Sequence, residues 1–400
     1  MTRLINFLVD KKKTIKKIFF TLFIILVYVI GTRIYIPFLD KKYYSQPKLL
    51  SNENFWESLF SSNNSLYILS LGVMPYITAS IVIQLSQKVF LFMKEWQEQG
   101  EKGKRKINIL TRILTILLSL GHGWTFIQIE SPLLSSNFIF QTLFFLTVGV
   151  FISVWLADLI TSKGLGNGIS ILIAVGMTDK LYKTFDYLLF TDGSEIKRIW
   201  ILISYFILLI LTIILSSAYL KIPINYAINR NNDKIDKYIP IKLNTSGILP
   251  IIFADAFLNL IKQISLFFPK DGTFSRYISI FIRSRSELGI YFFVYVLLIM
   301  LFSFFPSFMT INPKDVAEHL SKQNAYLKDV QPGLPTVKKI VREIFKITFL
   351  GSCFLTLLAS APDIINYLAG SEISKKITFG GTSLLIIVGV ALESIQDMKA

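Results

Sequence analysis

Few side chains here could do covalent or metal chemistry. The 400-residue chain has two histidines, His122 and His319, and one cysteine, Cys353. A single cysteine closes no internal disulfide, and two histidines do not make a His-rich catalytic metal centre. No HExxH pair and no GxxxxGK[ST] phosphate loop occurs, and Cys353 has no histidine nearby in sequence. Neither a hydrolytic enzyme nor an ATPase is expected, and no cofactor or metal is called for. Ionisable groups inside apolar spans are the other chemistry to weigh, because a secondary carrier holds substrate and coupling ions with them. Asp255 is the one mid-span acid, with Asp158 near a span end.

A different constellation is apolar. Val73 and Ile77 are spaced i, i+4 and share one helix face, as do Ile169 and Ile173. Ile252 and Ile386 occupy matching positions later in the chain. Stiff branched side chains converging from several helices would make a dewetted constriction, which stops ions by refusing to hydrate them. The same spacing also fits an ordinary bundle core, and spacing alone does not separate the two.

The elements that would position these residues are membrane spans. The chain is 52% hydrophobic, 14% aromatic and only 17% charged, where a soluble domain carries roughly 25% charged residues. Ten apolar spans are predicted near 17–38, 66–92, 107–129, 137–161, 166–190, 197–220, 245–268, 288–311, 341–366 and 379–395. The fold class is therefore an all-α membrane protein. Ahead of the first span stand Arg3, Lys11, Lys12, Lys13, Lys16 and Lys17. That span is longer than a signal-peptide core and no small-residue cleavage site follows it, so it reads as a transmembrane helix. An even span number returns both termini to one side, which positive-inside bias makes cytoplasmic. The loops 94–106, 221–243 and 312–340 share that side and are rich in Lys and Arg. The net charge of +16 then marks loops facing anionic lipid, and no nucleic-acid partner is expected. The outer loop 269–287 runs against the rule, with Lys270, Arg276, Arg283 and Arg285.

Four spans are unusual. The fifth is interrupted by Asp179 and Lys180, the tenth is short, and the second and seventh carry Pro75 and Pro250. Interrupted helices are tolerated in a bilayer where protein or a water-filled cavity shelters them. These are positions two and five of each five-helix half. Gly72-Val-Met-Pro-Tyr-Ile77 matches Gly247-Ile-Leu-Pro-Ile-Ile252, and Gly168-Ile-Ser-Ile-Leu-Ile173 matches Gly381-Thr-Ser-Leu-Leu-Ile386. Two matches at corresponding places predict an internal repeat, inverted because five spans is odd. The halves are 1–195 and 196–400, with broken helices along a central path.

At these residues the chain resembles the SecY family of protein-conducting channels. Leu71 to Leu85 is similar to the family's second helix, and Glu101-Lys-Gly-Lys-Arg-Lys-Ile107 to its basic loop before the third. Lys163-Gly-Leu-Gly-Asn-Gly-Ile-Ser170 resembles the entry to the fifth helix. Ile222-Pro-Ile-Asn-Tyr226 and Asn244-Thr-Ser-Gly-Ile-Leu-Pro250 resemble the connection from sixth to seventh. Asn312-Pro-Lys-Asp-Val-Ala-Glu318 and Gln331-Pro-Gly-Leu-Pro-Thr336 resemble the next large loop, and Gly380 to Ile386 the tenth helix. The resemblance implies a ten-helix channel in two pseudo-symmetric halves, passing unfolded polypeptide across the cell membrane and opening sideways to lipid. It places Val73, Ile77, Ile169, Ile173, Ile252 and Ile386 on the pore ring, and segment 54–65 on the plug, with Phe55, Trp56, Leu59 and Phe60. The second and third helices would face the seventh and eighth across a lateral gate, bringing in Thr78, Gln84, His122, Asp255 and Leu260. Loops 221–243 and 312–340, with Lys314, Lys328, Gln331, Lys338 and Lys339, would dock a SecA-like ATPase or a ribosome. A SecE-like small subunit would brace the halves, further accessory subunits could join, and a secreted preprotein would be the cargo. The family's arginine before Pro-Gly is replaced by Gln331, and the chain is somewhat short. Both departures fit an accessory SecY serving dedicated substrates. A housekeeping or plastid-type SecY is the alternative, and a secondary carrier the alternative outside the family.

Overall fold

The computed structural model describes residues 2–37, 66–130, 136–190, 195–226, 238–244, 247, 249–266, 281, 289–323, 325–327, 330–331, 333–369 and 381–399. The first elements are α1 (Thr2–Gly31), α2 (Met74–Val89), α3 (Leu91–Glu98), α4 (Glu101–Glu130), α5 (Ser136–Lys163) and α6 (Gly168–Phe190). Then follow α7 (Glu195–Ser217), β1 (Tyr219–Tyr226), β2 (Tyr238–Lys242), α8 (Leu249–Leu266) and α9 (Ile290–Thr310). The chain continues through α10 (Pro313–Lys322), β3 (Ala325–Leu327), α11 (Leu334–Ala369) and α12 (Gly381–Lys399). The segment 54–65, with Phe55, Trp56, Leu59 and Phe60, lies outside the described residues, as does Lys328.

Among the described residues six helices are long and apolar enough to cross a membrane: α1, α4, α5, α7, α9 and α11. Among the described residues α6, α8 and α12 carry shorter apolar stretches, Gly168–Thr178, Leu249–Leu258 and Ile386–Ile395. Helix α2 has 16 residues, about 24 Å of helix against a hydrocarbon core of about 30 Å. With α2, helices α6, α8 and α12 carry the shorter apolar stretches, and the four are the second and fifth spans of each set, where the sequence is interrupted.

Packing follows the same division. In the first set α2 lies on α4, α4 on α5, and α5 on both α1 and α6; in the second, α8 lies on α9, α9 on α11, and α12 on both α7 and α11. Two seams join the sets. At one, α6 meets α12 and α7; at the other, α2 and α4 meet α8.

The breaks come earlier than proline alone predicts. The second span was expected from residue 66, but 68–73 are turns and α2 begins at Met74. Proline therefore starts this helix rather than breaking it: Pro75 is its second residue and Pro250 the second of α8, where the missing N–H has no intrahelical partner to lose. The break is made by glycine. Gly72 (φ 53°) and Gly247 (φ 63°) both adopt the left-handed region two residues before their helix begins, which side-chain-bearing residues avoid. The turn at 66–73 keeps its backbone satisfied. Ile36 N–H donates to Leu66 O at 3.2 Å, Ile68 N–H to Ile34 O at 3.0 Å, and Gly72 N–H to Leu69 O at 3.0 Å.

Two loops expected to be polar connections are folded. Strands β2, β1 and β3 form one antiparallel sheet in that order, so β1 pairs with its own hairpin partner and with the loop after α9. Ile222, Ile241, Ala317, Leu320 and Leu327 pack with Ile340, Ile344 and Ile347 of α11 into a satellite core. Alternation of Ile with Tyr, Lys and Pro along β1 and β2 is the pattern of a sheet buried on one face, masked in the sequence by two internal prolines.

Gly247 isolates the backbone effect, because a Cβ there meets nothing within 4 Å. Replacing Gly247 by Ala should lower stability by about 1–2 kcal/mol, read as a reduced melting temperature in detergent. Gly247→Asn should lose less, since Asn tolerates the left-handed region. An alanine variant as stable as the parent would show that the left-handed turn is not required.

Candidate functional site at the crossing of four short helices

The six apolar residues singled out by spacing meet in one cluster. Val73, Ile77, Ile173, Ile252 and Ile386 are buried members, and Ile169 packs against it half-buried. Each sits at the start of a short helix. Val73 precedes α2 as its N-cap, and its carbonyl accepts from Ile77 N–H at 3.1 Å. Ile169 and Ile173 lie in the first turns of α6, Ile252 in the first turn of α8, and Ile386 in the second turn of α12. Ile77 and Ile252 are both fourth residues of their helices, and Ile173 and Ile386 both sixth. The repeat read from the sequence is thus a repeat of position. The cluster is larger than the six. It takes in Leu69, Met74 and Phe253 beside them, and reaches Tyr28 of α1, Leu208 of α7, Phe302 of α9 and Leu355 of α11, helices the spacing did not connect.

Polar atoms hold the entry to α6. Asn167 Oδ1 caps the helix, accepting from Ile169 N–H at 3.1 Å and Ser170 N–H at 3.4 Å. Thr161 Oγ1 accepts from Gly168 N–H at 2.9 Å. Thr21, on α1, accepts from Leu165 N–H at 3.0 Å and donates to Lys17 O at 2.9 Å. Gly168 itself admits no Cβ, which would overlap the Ala157 carbonyl. Sequence reasoning passed over Thr21, because nothing in its own neighbourhood points to a turn 144 residues away.

The residues expected at a lateral gate lie on the helices of the other seam. Thr78 is buried on α2 and donates to Met74 O at 3.1 Å, and Gln84 Nε2 donates to Ser80 Oγ at 3.1 Å. His122 on α4 and Asp255 on α8 are both buried, on helices that touch, and Leu260 is half-buried further along α8.

The loop residues fall at the satellite core's edge. Asn312 Oδ1 caps α10 by accepting from Lys314 N–H at 3.2 Å. Lys314 and Lys338 are exposed and Lys339 half-buried. Gln331 is exposed, and its carbonyl accepts from Thr336 Oγ1 at 2.8 Å. Glu318 and Lys322 pair at 2.8 Å on the exposed side of α10. That hydrogen bond holds the Glu318 carboxyl below its ordinary value and the Lys322 ammonium above its own. Among the described residues no group of His, Cys, Asp and Glu is arranged to hold a metal.

An α-helical bundle with two seams and an apolar waist built from interrupted helices defines a multi-pass membrane channel. The SecY family model matches residues 67–395. The protein translocase subunit SecY of Staphylococcus epidermidis (strain RP62A) is 34% identical over 414 residues, spanning 97% of this chain and 94% of that one. The same subunit of Staphylococcus aureus (strain NCTC 8325) is 34% identical over 419 residues, spanning 99% and 96%. Among solved structures, a protein-conducting channel superposes with a TM-score of 0.69 at 17% identity, covering 96% of this chain and 92% of its own. Sec61 from the canine ribosome–channel complex of the endoplasmic reticulum gives 0.66 at 18%, with the same coverage. The chain belongs to the SecY family and is a protein translocation channel subunit, in a family of transporters rather than enzymes.

Thr21→Val should leave the buried Leu165 N–H without an acceptor, at a cost of about 1–3 kcal/mol. Thr21→Ser should keep the bond and most of the stability. Melting temperatures of the two variants in the same detergent decide this; equal losses in both would mean that the methyl group, not the hydroxyl, matters.

Proposed function

We propose that this chain is the central pore subunit of its translocation channel, with Val73, Ile77, Ile169, Ile173, Ile252 and Ile386 as the constriction through which unfolded polypeptide passes. The observation that carries the reading is the meeting of all six at the starts of four interrupted helices. Apolar walls hold no water file, so ions are stopped while a polypeptide can part the branched side chains. The gate is the seam of α2 and α4 against α8, with Thr78, Gln84, His122, Asp255 and Leu260 along it. The halves 1–195 and 196–400 part there and stay joined at α6, α7 and α12. The segment 54–65 is the plug, with Phe55, Trp56, Leu59 and Phe60.

Replacing Ile77 or Ile252 by Asn should wet the constriction, because an amide gives water a partner there. Conductance of the resting channel in a planar bilayer should rise several-fold. If both variants stay as tight as the parent, the ring assignment is wrong.

The chain sits in the cell membrane with both termini cytoplasmic. The sheet and helix α10, with Lys314, Lys328, Gln331, Lys338 and Lys339, dock a SecA-like ATPase, and a SecE-like subunit braces the halves. The replacement of the family's arginine by Gln331 supports an accessory role, with a dedicated motor and few secreted preproteins as cargo. A housekeeping or plastid-type SecY is the competing reading. Deleting the gene should leave cells viable and remove a small set of exported proteins. Affinity purification from native membrane should recover a second SecA-like ATPase with the channel. Lethal deletion would overturn the accessory role, and recovery of neither motor nor small subunit would overturn the partner assignment.

A further inference from the structure

Past the end of α1 the chain pairs with the turn that precedes α2. Ile36 N–H donates to Leu66 O at 3.2 Å and Ile68 N–H to Ile34 O at 3.0 Å. These bonds flank Tyr35 and Tyr67, which form an antiparallel bridge. Bonds on either side of a facing pair mark the narrow kind of antiparallel pair, with Cα atoms about 4.5 Å apart. The two rings touch, with centroids 4.8 Å apart and hydroxyls at 3.5 Å. The pairing is seated in the bundle. Ile36 and Leu66 are buried in one cluster with Phe126 and Ile127 of α4 and with Leu146 and Val150 of α5. Two glycines make room for it. A Cβ at Gly149 of α5 would overlap the Ile68 carbonyl, and one at Gly31 would overlap the Leu69 side chain.

From this pairing a chain of short bonds runs to the waist. Tyr67 N–H donates to the buried Ser70 Oγ at 2.9 Å, and Ser70 N–H donates back to Tyr67 O at 3.2 Å. Gly72 N–H donates to Leu69 O at 3.0 Å, and Val73 follows as the N-cap of α2. A Cβ at Gly72 would stand 3.2 Å from the Tyr28 hydroxyl, so α1 also backs the last residue of the turn. Parting 34–36 from 66–68 would strand buried peptide groups away from water, which a bilayer penalises. Helices packed on one another keep their own backbone bonds when they separate.

We propose that the pairing of 34–36 with 66–68 is a fixed joint that positions Val73. It stays closed while polypeptide passes, and it holds the turn before α2 to α1, α4 and α5 as one body. Tyr35, Tyr67 and Ser70 are positioning residues and touch no cargo. Val73 is then the still wall of the constriction, and widening comes from displacement of α8 and α12, which carry Ile252 and Ile386. The role of Val73 rests on the constriction proposed for the six apolar residues; the joint itself does not.

The test places Tyr35→Cys/Tyr67→Cys in the full chain together with Cys353→Ala, which removes the native cysteine. A Cα separation of about 4.5 Å lies within the range of about 4.4–6.8 Å that a disulfide spans. Copper phenanthroline should therefore crosslink the pair in native membranes, scored by protection from a maleimide. Proteins whose export is lost when this chain is depleted should still be exported in full by the crosslinked channel. Failure to crosslink, or export that stops on crosslinking and resumes with reductant, overturns the fixed joint. Positioning is read separately, as resting conductance in a planar bilayer. Ser70→Ala removes the acceptor of Tyr67 N–H and should raise conductance several-fold. Ser70→Thr should stay tight, and the 35–67 crosslink should restore the seal in Ser70→Ala. A Ser70→Ala channel that stays tight where Ile77→Asn leaks overturns the positioning of Val73, as does a leak that the crosslink leaves unchanged. If both variants stay tight, the constriction falls and the positioning with it, while the crosslink still decides the joint.

Discussion

Inside a bilayer no water is available to an unpaired peptide group, and the whole arrangement depends on that constraint. A chain can leave the helix at membrane depth only where other protein groups take over its hydrogen bonds. Here the turn before α2 is satisfied by a backbone bridge to 34–36 and by its own reverse turns. The turn before α6 is satisfied by Thr21, Thr161 and Asn167. The second shelter requires α1 and α5 to stand beside the break, since Thr21 and Thr161 lie on them. The apolar waist lies where it does because short helices begin there.

The two seams are built differently. Where α6 meets α12 and α7, the chain itself crosses between the sets, and the link between α6 and α7 is only 191–194. Where α2 and α4 meet α8, no covalent link holds the sets together, and buried polar side chains such as Thr78, His122 and Asp255 stand among the apolar ones. Lipid tails are as apolar as leucine, so helices in a membrane gain little from hydrophobic burial and associate by close packing and polar contacts. The α2–α4–α8 seam therefore rests on side-chain contacts alone, whereas the other is also joined by the chain.

Pairing of β1 with β2 and with β3 joins two loops that lie far apart in sequence into one unit. Its core includes Ile340, Ile344 and Ile347 of α11. Helix α11 has 36 residues, about 54 Å, and its first turns belong to this unit while the rest packs on α9 and α12. Force applied to the loops therefore reaches the bundle through a continuous helix.

Much of this was legible in the amino-acid order. Span count, the four odd spans and the paired Gly-x-x-Pro motifs are local, because length, hydropathy and backbone-breaking residues act within a few positions. The i, i+4 spacing of Val73 and Ile77, and of Ile169 and Ile173, is likewise local, because it puts each pair on one helix face. The start of α2 at Met74 rather than residue 66 was misread, since a buried turn and a buried helix have the same apolar composition. The sheet was missed because Pro223 and Pro240 mask a strand pattern whose partners lie on another loop. Only the tertiary structure decided which helices touch, that Thr21 serves a turn beside Leu165, and that Tyr35 lies against Tyr67. Those facts depend on distance through space between segments remote in sequence, and hydropathy carries no record of that distance.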